Sequence, residues 1–285
     1  MVGSTADPAR GGVHRSDEAG VVTLRLQRGE RNALDSALAD ELAEALDACA
    51  SDPGVRAVVL TGSGPVFSVG ADLSAGPSAI HDLLIGEGAY ERAGYREPAG
   101  RVTLRMAALG VPVIAAINGD AIGGGATIPL AADVRFFAAH ARVGFPFTRL
   151  GVCPEGASTF FLPRLVGPSR AADWLLSGRL VDADEALAAG LVSRVVPPDE
   201  VLTVAQDYAR ELAARTSPTA VAATRRLLAA APADPVTASD AESRAIAQLA
   251  AGPDCREGVA AFLERRPPRF ADPVTDRGIG RRPPS

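Results

Sequence analysis

Two short apolar runs, each leading directly into a glycine-rich turn, constrain this chain more than any other feature. Residues 55–61 pass into Gly62, Gly64 and Pro65, and residues 113–118 pass through Gly119 into the triplet Gly123, Gly124 and Gly125. Short β-branched runs bounded by turn signals suit strands covered on both faces, as in parallel sheets. The glycines of the second run, which opens an apolar helix-like segment, let backbone N–H groups face a ligand at a helix start. Upstream, residues 21–26 read as a strand, followed by a polar turn holding Gly29 and Asn32. A helix then starts near Asp35, its apolar stripe running through Leu38, Leu42, Leu46 and Cys49 until Pro53 and Gly54 end it. Strand, turn and helix alternate through the first half, which predicts an α/β fold with right-handed crossovers. From about Pro168 the pattern is mainly helical. The reading is a flexible tail over 1–18, an α/β core over 19–195, a helical segment over 196–270 and a second flexible tail, rich in Pro and Arg, over 271–285.

Composition narrows the chemistry. A chain of 285 residues with 47% hydrophobic content can bury one large core plus an accessory segment. All 29 basic residues are arginine, so no Schiff-base lysine is available. A net charge of −5, without a long block of like charge, offers nucleic acid no attraction. Cys49, Cys153 and Cys255 lack CxxC spacing and only three histidines occur, which argues against a disulfide framework or a metal site. No apolar leader segment opens the chain and no run of 18 apolar residues follows, so a soluble cytoplasmic protein without membrane contact is expected.

A glycine triplet alone fits tight turn packing as well as it fits a ligand site, and a phosphate loop is disfavoured because no Lys-Ser/Thr pair follows. The segments in combination say more. Residues 67–73, from Phe67 through Ser68, Val69, Gly70 and Ala71 to Leu73, and residues 118–126 occur in order, each after a strand, with Asn32, Ala33, Leu34 and Asp35 upstream. Together they resemble the oxyanion-hole motifs of the crotonase (enoyl-CoA hydratase/isomerase) superfamily. The stretch 178–197, with Gly190, Leu191 and Val192 at its turn, is similar to that family's helix-turn-strand segment. The resemblance spans about residues 19–270. It implies a ββα-repeat spiral core with a C-terminal helical trimerisation segment, an acyl-CoA thioester as substrate, no separate cofactor, and a homotrimer or a hexamer made as a dimer of trimers. It also implies that the Ala71 and Gly124 N–H groups hold the thioester oxygen, a contact that favours an enolate over the ground-state carbonyl by about 3 kcal/mol per donor. By the same resemblance Ala33, Asp72, Leu73 and Ser74, with Ala71 and Gly124, would receive the coenzyme A portion. Arg265, after Phe262, falls where relatives carry a basic residue near the coenzyme A phosphates; read alone, it fits a solvated helix-end charge equally well.

Which reaction follows depends on the carboxylates. Hydratases of this superfamily use two glutamates, and counting from the motifs puts Thr127 and Phe147 at those places. Neither can move a proton near neutral pH. Just downstream, residues 150–158 resemble the LGxxPEGxS motif of the peroxisomal-type Δ3,Δ2-enoyl-CoA isomerases, which makes Glu155 the candidate base; without that match, an acid after Pro154 reads as an ordinary helix-start residue. One carboxylate suffices to take a proton from C2 and return it at C4. Phe145, Phe147, Phe160 and Phe161 are expected either to wall Glu155 and raise its pKa or simply to pack in the core. The expectation is a 3-enoyl-CoA to 2-enoyl-CoA isomerase of fatty acid metabolism. The alternatives are a hydratase, another single-acid crotonase such as a ring-epoxide acyl-CoA isomerase, and a non-catalytic acyl-CoA-binding homologue.

Overall fold

The computed structural model describes residues 11–74, 76–85, 91, 93–230, 232 and 234–270. It opens with β1 (Gly12–Glu18) and β2 (Val21–Gln27), followed by α1 (Ser36–Ser51), β3 (Ala57–Gly62), α2 (Ala79–Leu84), α3 (Pro98–Ala108) and β4 (Val113–Ile117). After β5 (Ala121–Ile122), α4 (Gly124–Thr127), β6 (Val134–Ala138) and β7 (Arg142–Gly144) come α5 (Ser158–Val166), α6 (Pro168–Ser177), β8 (Leu180–Asp182), α7 (Ala183–Ala188) and β9 (Arg194–Val196). Four helices close the chain: α8 (Val201–Arg215), α9 (Pro218–Ala230), α10 (Pro235–Ala250) and α11 (Pro253–Glu264). The main sheet runs β1-β2-β3-β4-β6-β9 and is parallel except for β1; β5, β7 and β8 form a small second sheet beside it. Mixed α/β architecture is therefore as the sequence implies.

Local chemistry explains the first helix well. Asp35 caps it by accepting the Leu38 N–H at 2.8 Å, and Leu38, Leu42, Leu46 and Cys49 are all buried on one stripe. The glycine-rich runs fall where the sequence places them, the first directly after β3 and the second after β4 by way of Gly119 and the two-residue β5.

Two expectations need correction. Residues 12–18, expected within a loose tail, form β1, which pairs with β2 from Gly12↔Gln27 to Glu18↔Val21. The two strands meet at a two-residue turn in which Ala19 (φ 50°) and Gly20 (φ 79°) both adopt positive φ. That turn ordinarily announces itself by Asn-Gly or Asp-Gly, and an alanine at its first position hides the hairpin. The expected tails over 1–10 and 271–285 lie outside the described residues.

The second correction concerns the boundary at residue 196. Side chains of β3 alternate between two cores. Val58 and Leu60 join Leu38, Leu42, Val102 and Met106 of α1 and α3 in one, whereas Ala57 and Val59 join Ile114, Ala116, Ala205 and Ala209 in the other. A strand apolar on both faces needs cover on both. Helix α8 supplies it, and its small residues Ala205 and Ala209 allow close approach, so α8 belongs to the core rather than to an appendage. The more peripheral helices are α9 to α11. Of these α10 buries no residue, and Leu228, Ile246, Phe262 and Leu263 stand exposed. Arg225 of α9 fastens this group to the core by donating to the carbonyls of Leu109 and Met106 at the end of α3 while pairing with Asp133 at 2.9 Å. Among the described residues no helix is long and apolar enough to cross a membrane.

Candidate active site

The segment 67–71 is threaded between two others. On one side the Leu34 N–H donates to Gly70 O at 2.7 Å, and on the other the Ile122 N–H donates to Ser68 O at 2.9 Å. Asn32 is fully buried and locks the crossing: its amide donates to the carbonyls of Ser63, Val66 and Phe67 and accepts from the Arg28 N–H. Ser68 adds a bond from its hydroxyl to Asn32 O at 2.7 Å. The two glycine-rich turns consequently lie against each other. A Cβ on Gly70, which holds φ at 74°, would stand 2.5 Å from Ile122 O and 3.0 Å from Gly124 N, so only glycine fits. Ala71 and Gly124 both line the same cleft, and among the described residues neither N–H meets a protein acceptor. Two backbone donors therefore converge on one apolar cleft, the arrangement an oxyanion requires.

Glu155 enters from the opposite wall. A Cβ on Gly124 would meet its Oε1 at 2.9 Å and Leu34 Cδ2 at 2.8 Å, which places the carboxyl directly over the Gly124 Cα. Burial pushes the Glu155 carboxyl up to about 7, and the negative charge of Glu97 adds to the rise. Beyond these groups the cleft, about 850 Å³ with its mouth included, is lined by Ile80, Leu83 and Leu84 of α2 and by Leu150 and Val152. Its lining is apolar apart from the two backbone donors, the Cys153 thiol and a carboxyl of raised pKa.

The structure brings together Ala71, Gly124, Glu155 and Leu73, all of which line the cleft. Asp72 and Ser74 are exposed beside it, where the Ser74 N–H donates to Asp72 at 2.9 Å and holds that carboxyl below its usual range. Ala33 is half-buried next to the cleft residue Leu34. Arg265 is elsewhere: it caps the end of α11 with φ 54° and lines a separate depression with Arg215 and Phe262, so within one chain it does not reach the cleft. Of the four phenylalanines, only Phe147 faces the cleft. Phe145 is core, and the exposed Phe160 packs edge-on against Phe161 with the Arg164 guanidinium 3.6 Å over its ring. Thr127 is fully buried and donates to Gly124 O.

Sequence reasoning missed Glu97. Its local signal is legible, an acid directly before Pro98 at a helix start, and the side chain does accept the Gly100 N–H at the N-terminus of α3. Its second bond, from the Gly156 N–H at 2.8 Å, spans 59 residues and leaves no mark in the sequence.

The chain is similar to known proteins in sequence and in fold. The sequence profile described as enoyl-CoA hydratase/isomerase matches residues 16–273. Enoyl-CoA hydratase AFT3-1 of Alternaria alternata is 36% identical over 263 residues, covering 92% of this chain and 86% of that protein. The 2,3-dehydroadipyl-CoA hydratase of Escherichia coli is 37% identical over 252 residues, covering 88% and 94%. The crystal structure of an enoyl-CoA hydratase from Polaromonas sp. JS666 superposes with a TM-score of 0.83 at 28% identity, covering 92% of this chain and 100% of that one.

Proposed function

The chain belongs to the enoyl-CoA hydratase/isomerase family, and we propose that within it the protein is an acyl-CoA isomerase that shifts a 3-enoyl double bond to the 2-enoyl position. The observation that carries this reading is that Glu155 is the only carboxyl among the described residues lining the cleft. The thioester oxygen sits on the Ala71 and Gly124 N–H groups. Glu155 takes a proton from C2, the electrons of the broken C–H bond spread into the dienolate, and the same carboxyl returns the proton to C4 as the double bond settles between C2 and C3. A pKa near 7 suits a group that must accept and then release one proton. Thioester, enolate and proton suffice for the reaction, so it calls on no metal or redox cofactor. Leu73, with Asp72, Ser74 and Ala33 at the rim, would receive the coenzyme A portion.

The names of the Alternaria and Escherichia coli relatives favour a second reading, hydration of a 2-enoyl-CoA. Hydration must activate a water as well as protonate a carbon, and Thr127 and Phe147 supply no carboxyl for that second task. A paired assay separates the two. Conversion of a trans-3-enoyl-CoA is expected to exceed hydration of a 2-enoyl-CoA by at least about 10²-fold, the lower end of what one acid–base group contributes; faster hydration would sink the isomerase reading.

We also propose assembly as a homotrimer or as a dimer of trimers. Leu228, Ile246, Phe262 and Leu263 leave α9 to α11 with an uncovered apolar surface that a second copy would bury. Light scattering at micromolar concentration reads the mass directly, and a monomer would refute it.

A further inference from the structure

Glu155 projects from a loop, residues 151–157, whose ends are fixed but whose middle needs an anchor. On the N-terminal side Val152 N–H donates to Phe147 O at 3.0 Å, and on the C-terminal side Ser158 N–H donates to Glu155 O at 3.0 Å. At the turn itself Gly156 adopts φ 63°, and a Cβ there would press to 2.7 Å on Thr127 Oγ1, so the loop lies flat on α4. Its bond to a different layer comes from Glu97. One carboxylate oxygen accepts the Gly156 N–H, adjacent to the base, while the other accepts the Gly100 N–H at the start of α3.

We propose that Glu97 is a positioning residue of this site, clasping the Glu155 loop to the start of α3 so that the base is held over Gly124 with a second carboxylate at its back. The inference rests on the reading of Glu155 as the base. The clasp has two consequences. It sets where the Glu155 oxygens lie, and displacements of an ångström at a reacting group are costly. It also places a negative charge beside a carboxyl already buried among Leu34, Pro98 and Ala99, which favours the protonated form. The other titratable groups around Glu155 are Tyr95, on the segment leading into α3, and Cys153 on its own loop; α2 and α4 face it with apolar groups and Thr127.

The test uses the full-length protein with Glu97→Gln and Glu97→Asp, each read in two ways. The first is the titration midpoint of the Glu155 carboxyl by carbon NMR on glutamate-labelled protein, assigned through Glu155→Gln. The second is the pH profile of kcat/KM for 3-enoyl-CoA isomerisation. Glutamine removes the charge and one of the two acceptors. The midpoint and the acidic limb of the profile, which marks deprotonation of the base, are expected to move together to lower pH by about half a unit or more. Aspartate keeps the charge and can still cap α3, but its shorter arm withdraws from Gly156. It is expected to hold the midpoint and to lose about tenfold in kcat through displacement of the base. An unmoved midpoint in a folded Glu97→Gln protein, with only a lower melting temperature, would reduce Glu97 to a helix cap and overturn the proposal. Should the glutamine variant not fold, an aspartate variant with undiminished kcat would overturn it equally. Persistence of turnover in Glu155→Gln would instead remove the reading of Glu155 as base, while the NMR midpoint would still judge whether Glu97 acts on it.

Discussion

The wall of the cleft that presents Ala71 and Gly124 is made of backbone, whereas the wall that presents Glu155 is made of side chains. The first is fixed by the crossing of 67–71 over 120–124, with Asn32 buried at its centre and no room for a Cβ at Gly70. No substitution short of proline deletes its donors; any other can only push them apart. The second depends on single residues, the proposed base Glu155 and Glu97, which accepts the Gly156 N–H beside it, with Thr127 and Phe147 at the two places where the family resemblance leads one to look for further acids. The difference teaches where, on the proposed reading, reaction type would reside: stabilisation of an enolate would be the task of the backbone wall, and the side-chain wall would decide where the proton goes.

Breaking the backbone wall should have the largest effect. Gly70→Ala drives a methyl against Ile122 O and Gly124 N, at a φ that alanine resists, and so separates the two donors. A loss of about 10²–10³-fold in kcat is expected, the scale of removing one oxyanion donor, together with a lower melting temperature. Near-normal turnover would show that the two N–H groups do not act as a pair. Glu155→Gln tests the other wall and should cost at least about 10²-fold in kcat while the dissociation constant for a coenzyme A thioester stays within about twofold.

The same variant should carry a smaller, opposite signature in stability. A carboxyl whose pKa rises from 4.5 to about 7 on folding holds more protons in the folded chain across that window, so stability falls as pH rises through it. Its neutral form costs little below about pH 4.5, and the ionised form penalises the fold fully above about 7. Glutamine has no such penalty. Chemical denaturation is therefore expected to show Glu155→Gln gaining up to about 3 kcal/mol on the wild type between pH 4 and pH 8. A pH-independent difference would mean that Glu155 sits in a wetter place than its contacts with Gly124 and Leu34 imply.

The backbone wall was legible in the sequence because its determinants are local: a strand and a glycine run are written within ten residues of each other at both turns, and at the second a helix start as well. The helix after Asp35 was legible for the same reason, through its cap and its stripe. Glu155 could be singled out by its motif, but not the cause of its raised pKa. The four phenylalanines nearest in sequence lie mostly elsewhere, so the burial that chiefly raises it comes from residues distant in sequence, and the charge that adds to it comes from residue 97. The α8 boundary was missed because an amphipathic helix shows which of its faces is apolar without showing which sheet that face will meet. Arg265 belongs to the same class: its place on a helix end was readable, and its distance from the cleft was not.

The cover that α8 gives the sheet bears on how the chain is made. Strands β3 and β4 are complete by residue 117, yet Ala57, Val59, Ile114 and Ala116 wait for Ala205 and Ala209 before their face is shielded from water. A ribosome adding residues in order has to synthesise almost another hundred before that partner is available, at rates of roughly 5–20 residues per second. For several seconds the growing chain carries an open apolar sheet face, and the nascent polypeptide during that interval, more than the finished protein, is the species most in need of a chaperone.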